Sequence, residues 1–368
     1  MSLPDHEDQK ANRICYLRGK GLKSPEEVRK EHPDRESLEH IIPNAIGGKL
    51  KSKNILSHAG NQQLNDEIDT EFVKVFTSFT TRLSLNKDRK SKPSINAFHV
   101  DHGLNVISKD GKYFPASPYF DKESGTIYAY PLKNAKNYKK LLINTGVISE
   151  SDEIKLADDM AGQIEIPFGF DNQNFKQGMA KIAIGYASLN GIAREHLKSA
   201  LDAKNNSILD KILLVPSLPT SQSEDFFERN VINSPHYPCH TLTLCGHEGI
   251  LYCHVELFNA FQWYVILSED YQGNDIFQTY THDLLNDQEI CRADYIASVK
   301  MPDELPEIKE LRKLPPAHIN HIARVAATKK ETLKSYNHFK FNQLSDFTKQ
   351  YFVYNQAIAL GLIENNEE

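Results

Sequence analysis

Ser37-Leu38-Glu39-His40-Ile41-Ile42-Pro43, then Gly47-Gly48, then Lys53-Asn54-Ile55-Leu56, then a stripe beginning at Asn61 form the stretch that decides the fold. Ser37 to Ile42 is a strand-like run that Pro43 stops. Gly47-Gly48 supplies a turn, and residues 53–56 can return as a second strand. From Asn61 to Phe79 the apolar side chains Leu64, Ile68, Phe72, Val75, Phe76 and Phe79 recur at helical spacing, so this segment reads as one amphipathic helix. Strand, turn, strand and helix follow one another, with polar residues at the junctions.

The dipeptide Glu-His carries little information by itself. It occurs three times, at Glu31-His32, Glu39-His40 and Glu195-His196. Only the second ends a strand-like run and is followed by a glycine turn, an Asn on the return strand and an Asn opening a helix. Those residue types suit phosphodiester hydrolysis, which needs an activated water and a way to neutralise charge on the leaving oxygen. A hard cation such as Mg²⁺ or Mn²⁺ does the second job and takes oxygen ligands. Glu39 offers a carboxylate and Asn61 an amide oxygen. In a pleated strand His40 points away from Glu39, and an imidazole is suited to accept a proton near neutral pH. Asn54 would hold the connecting loop by side-chain hydrogen bonds. Singly, each residue has an ordinary reading: an exposed strand end, a loop histidine, a helix N-cap. The order in which they stand together points to a site.

Outward from this stretch, residues 1–12 read as a polar lead-in, unlike a signal peptide. Residues 93–158 form an α/β connecting region, with strand candidates at 98–100, 104–108 and 126–129 and a helix at 135–142. Residues 159–300 make an α+β domain, opened by a buried helix at 175–188 and a second helix at 193–201. A meander follows, with Thr241–Cys245, a turn at 246–249, Ile250–Phe258 and Trp263–Leu267. Residues 301–368 are a helical tail. The fold class is α+β: an N-terminal ββα unit, a larger mixed region with an antiparallel meander, and terminal helices.

The meander carries Cys239, His240, Cys245, His247, Cys253 and His254. With a four-residue turn, Leu244 faces Leu251 and Leu242 faces Cys253. Cys245 and His254 then lie across the sheet from Cys253. The six cannot converge on a metal; Cys253 reads as core and His254 as a surface or partner-facing residue.

The core Glu39-His40-Ile41-Ile42-Pro43, Gly47-Gly48, Asn54 and Asn61, with Ile68-Asp69 further along the helix, resembles the HNH endonuclease family over residues 13–92. The resemblance implies a ββα-metal fold and divalent-cation-dependent cleavage, with His40 as general base, Glu39 and Asn61 as metal ligands and Asn54 as the structural asparagine. That branch of the family places two Cys-x-x-Cys pairs around a zinc ion. Here the four positions are Cys15, Arg18, Ser57 and Gly60, and one thiolate does not make a tetrahedral site. No structural zinc is expected, and packing must replace it.

The net charge of −6 hides an asymmetry. Residues 1–140 carry 24 Lys and Arg against 18 Asp and Glu, whereas the remainder is strongly acidic. Lys49, Lys51, Lys53, Arg89, Lys90 and Lys92 flank the hairpin and helix, and are the candidates for phosphate contact with nucleic acid, double-stranded DNA in first place. Five cysteines without a Cys-x-x-Cys pair fit a cytoplasmic protein, and no apolar run reaches membrane length. The acidic C-terminal region is left to bind a regulatory ligand, a partner or a second copy. A role in defence or in a mobile element follows only by analogy. The alternative is a nucleic-acid-binding or ligand-sensing protein that keeps a non-cleaving HNH unit.

Overall fold

The computed structural model describes residues 12–85, 94–109, 112–165 and 172–363. It divides into two compact units, one of residues 1–88 with 170–368 and one of residues 89–169. The α+β class holds: helices accompany sheets whose strand pairs are antiparallel but for one.

The first unit begins with the hairpin β1 (Glu39–His40) and β2 (Lys51–Ser52), paired Glu39 to Ser52 and His40 to Lys51. The return strand is thus two residues earlier than residues 53–56, because Gly48 turns the chain tightly against Ile42. A Cβ at Gly48 would lie 1.9 Å from the Ile42 carbonyl oxygen. Ile55 and Leu56 still bond laterally, accepting from the Tyr16 and Ser37 amides.

The helical stripe starts earlier than Asn61 and is not continuous. Ser57 caps α1 (His58–Leu64), accepting the Gly60 N–H. A π-helical turn over Asn65–Asp69 leads into α2 (Thr70–Lys74), and α3 (Thr77–Arg82) follows a break. A π turn spends one extra residue, so Asp69 rotates back to within about 20° of Asn61 instead of about 80° away. Leu64, Ile68, Phe72, Phe76 and Phe79 are all buried, as their spacing requires.

The second unit holds β3 (Ile95–His99), β4 (Leu104–Lys109), β5 (Lys112–Pro115), β6 (Tyr119–Asp121), β7 (Thr126–Tyr128), α4 (Leu132–Asn144), β8 (Lys155–Ala157) and β9 (Ile164–Glu165). They form a four-stranded sheet ordered β5-β4-β3-β9 and a three-stranded sheet ordered β6-β7-β8. Ile127, Ala135, Leu142 and Ile148 pack α4 onto the smaller sheet.

The first unit resumes with α5 (Gln173–Leu189), capped by Asn172 and buried along most of its length. The helix expected at 193–201 is only a 3₁₀ turn at Arg194–His196; Leu201 already starts the short hairpin β10 (Leu201–Asp202) and β11 (Ser207–Ile208). There follow β12 (Leu214–Pro216), α6 (Gln222–Asn230), β13 (Cys239–His247), β14 (Ile250–Leu257), β15 (Phe261–Ser268), β16 (Ile276–Asp283) and β17 (Gln288–Glu289). These strands make one antiparallel sheet ordered β12-β15-β14-β13-β16-β17. Then come α7 (Arg292–Ala297), α8 (Pro316–Thr328) and α9 (Lys330–Ala359).

The meander register differs by two residues from the expected one: Leu244 pairs with Cys253 and Leu242 with Val255. Glu248 and Gly249 both have positive φ and close the hairpin as a two-residue turn, so the strands run two residues closer to the tip. A shift of two keeps every side chain on its face. Cys245 and Cys253 do lie on opposite faces, but His254 is not at the surface. α8 covers its face, where Cys245, Tyr252, Tyr264, Ile266, Ile319 and Ile322 form a core. His254 is fully buried against Tyr264, and burial pushes its pKa down to about 3.

Candidate functional site

Glu39 and His40 sit side by side on β1 in different environments. Glu39 is 4% exposed, whereas Leu38 before it is exposed and His40 after it is half-buried, as strand alternation dictates. Ser37 precedes Glu39 by two residues and accepts a 2.7 Å hydrogen bond from Asn61 Nδ2. That bond commits the amide nitrogen, leaving the Asn61 oxygen as the end suited to a cation. After β2 the Asn54 backbone N–H donates to Ser52 Oγ at 3.0 Å, tightening the bend that follows the strand opposite Glu39.

The Glu39 carboxylate is engaged by a residue far away in sequence. Lys181 Nζ lies 2.8 Å from Glu39 Oε1 and also contacts Asp69 Oδ2. Lys181 belongs to α5 and is almost wholly buried. Burial opposes its charge, but the two carboxylates outweigh burial and raise its pKa above the usual lysine value. Burial pushes the Glu39 carboxyl up while Lys181 pulls it back. The ammonium is therefore a fixed internal cation of the site.

The loop between the strands is held from the C-terminal sheet. His240 Nε2 is 2.8 Å from the Ile46 carbonyl, and its Nδ1 accepts the Phe258 N–H at 3.2 Å. Burial lowers the His240 pKa to about 3, so the ring is neutral with its proton on Nε2, donating to Ile46. His240, part of the Cys/His-rich run, is thus a buttress for the loop.

The four positions that resemble zinc-ligand positions do converge. Cys15 Sγ accepts the Arg18 N–H at 3.4 Å and the Ser57 hydroxyl at 3.3 Å, and a Cβ at Gly60 would lie 3.2 Å from that sulfur. Arg18 turns outward to Asp34 at 3.4 Å. Arg194 clamps the knuckle from behind, with Nε 2.8 Å from the Tyr16 carbonyl and Nη2 2.7 Å from the Leu17 carbonyl. A knuckle closed by hydrogen bonds offers one thiol where zinc needs four donors. Elemental analysis of the purified chain should find well under one zinc per molecule; one equivalent would mean a donor set other than this knuckle.

Beside Ser37 lies a groove of about 290 Å³ lined by Lys30, Arg35, Lys53 and His58, with Glu36 and Leu38. Of the basic residues singled out in the sequence, Lys53 lines this groove and Lys51 is exposed opposite His40. Lys49 turns to Asp287 at 3.2 Å. Arg89, Lys90 and Lys92 lie outside the described residues. Among the described residues, no three His, Cys, Asp or Glu side chains converge as a metal cluster.

A short β-hairpin tied through Ser37 to a helix bearing Asn61 has the order of a ββα module. Residues 29–77 match the family described as HNH endonuclease, so this segment carries the HNH module that its residues suggest. No curated protein and no solved structure matches the chain. The family implies a divalent metal. Glu39 and Asn61 both carry oxygen atoms of the kind a hard cation takes, and the Glu39 carboxylate is here paired with Lys181.

Four functional candidates escaped the sequence. Asp69 closes the Ile-Asp end of the π turn but carried no assignment. Lys30 and Arg35 precede the hairpin in an irregular stretch without periodicity. Lys181 had one signal, a charged residue in the middle of the buried run from Met179 to Leu189, where lysine is rare unless paired.

Proposed function

We propose that the chain is a metal-dependent endonuclease that hydrolyses DNA phosphodiester bonds, with His40 as general base. The observation that carries this reading is the HNH match over a hairpin whose Glu39 and His40 occupy opposite faces of one strand, with Asn61 beside the Glu39 face. Glu39 and Asn61 would hold Mg²⁺ or Mn²⁺, which supplies charge neutralisation at the leaving oxygen. His40, half-buried at the mouth of the hairpin, takes the proton of the attacking water. Asn54 would serve as the structural asparagine, its backbone N–H on Ser52 Oγ bending the chain as it leaves the return strand. Lys30, Arg35, Lys51 and Lys53 offer positive charge to the phosphate backbone, and the groove beside Ser37 leads it toward the catalytic end. The acidic remainder of the chain would repel a polyanion and so limit where the duplex lies.

Incubation with supercoiled plasmid and Mg²⁺ or Mn²⁺ tests this directly. Nicked and linear products should form with metal and stop when chelator is added. Binding without any cleavage in either metal would instead favour a nucleic-acid-binding protein built on a silent HNH unit.

A further inference from the structure

The pair of carboxylates around Lys181, Glu39 buried and Asp69 partly so, goes beyond the module's own residues. Glu39 comes from β1, Asp69 from the π turn, and Lys181 from α5, outside the segment that matches the nuclease family. One ammonium touches both carboxylates. Two further polar atoms of the same neighbourhood are buried without a hydrogen-bond partner among the described residues: Asp69 Oδ1 and the Tyr16 hydroxyl. Tyr16 is almost fully buried, and both Glu39 and Asp69 act on it electrostatically. A buried carboxylate oxygen and phenol left unpaired are expensive. Together they describe a polar cluster with more oxygen atoms than one lysine satisfies.

We propose that Glu39 and Asp69 form a two-carboxylate divalent-cation site in which Lys181 is a built-in competitor, its ammonium holding the place between the carboxylates that the ion would take. This rests on the assignment of Glu39 as a metal ligand and adds Asp69 to it. The charge argument fixes the direction. A divalent ion on these carboxylates and an ammonium within hydrogen-bond distance of them repel strongly in so buried a place, where charges are weakly screened. Loss of an outer-shell partner that merely oriented a ligand would weaken metal binding by about 10–100-fold. Loss of a competitor must strengthen it. The two roles therefore predict opposite signs, and α5 becomes the element through which the C-terminal region sets the metal demand of the nuclease module.

The test follows the thermal midpoint of the full chain during titration with Mn²⁺, and separately Ca²⁺, at constant ionic strength, with no DNA present. Lys181→Met should be less stable than wild type without metal. It should regain stability at metal concentrations at least tenfold lower than those that stabilise wild type. Adding Asp69→Asn should abolish that gain. If Lys181→Met is unfolded without metal, refolding in Mn²⁺ should recover it, with Lys181→Gln behaving alike. The proposal is overturned if Lys181→Met responds to metal no more sensitively than wild type, if the double variant responds as the single one does, or if refolding is metal-independent or fails under both conditions. Cleavage is not read, so an inactive wild-type enzyme would sink the nuclease reading without touching this result, and the reverse also holds.

Discussion

His40→Ala should lower the single-turnover rate of plasmid cleavage by about 10²–10⁴-fold, the usual contribution of a positioned general base. DNA affinity should change little. The charges proposed to face phosphate are Lys30, Arg35, Lys51 and Lys53, and none of them is altered. Stability should also hold, because His40 is half-buried at a strand end while the apolar pair Ile41 and Ile42 fixes the strand to the core. His58 provides the internal control. It lines the groove beside Ser37 and sits exposed at the first turn of α1, whereas His40 is not among the groove's lining residues. His58→Ala should therefore cost less than about tenfold, as loss of a phosphate-side contact rather than of the base. Equal cutting by wild type and His40→Ala would remove His40 from this role. A large loss in His58→Ala alone would move the base to the groove.

Much of this site could be read from the chain because its parts are local. Hairpin, glycine turn and helix start lie between Ser37 and Asn61, and the residue types at the junctions are constrained by chemistry and by turns together. What could not be read depends on other elements or on irregular backbone. The helix from Asn61 to Phe79 was legible as an apolar stripe, but periodicity assumes a constant turn, and the π segment that rotates Asp69 inward breaks that assumption. The meander register turned on whether Gly246-His247-Glu248-Gly249 is a four- or two-residue turn, and only the φ angles decide it. Alternation gave the faces of His254 and Cys253 and the burial of Cys253, but not the burial of His254, because α8, far later in the chain, covers what the strand alone presents as a free face. Lys181 is more than a hundred residues from Glu39. No motif spacing links them, and only the oddity of a lysine in an apolar helix marks it.

Gly178→Ala should destabilise the protein by about 2–3 kcal/mol, although alanine in an open helix would stabilise it by up to about 1 kcal/mol. A Cβ at Gly178 would lie 2.1 Å from Phe72 Cδ2 and 2.3 Å from Phe72 Cγ. The ring has nowhere to retreat. Phe72 is fully buried, edge-on to Phe76 at 5.2 Å and tilted against Phe175 at 5.9 Å, and Phe76 in turn packs on Phe258 and Phe261. This aromatic stack joins the helices of the HNH-matching segment to α5 and the large sheet. Gly178 is also one helical turn before Lys181, so displacing α5 moves the ammonium relative to Glu39. Relief should come from the partner: in a Phe72→Leu background the added methyl should cost less than half as much, a coupling that a double-mutant cycle on thermal or denaturant midpoints measures. A neutral or stabilising Gly178→Ala would mean that α5 does not approach Phe72 this closely, and that the module is held to the C-terminal sheet by Arg194 and His240 instead.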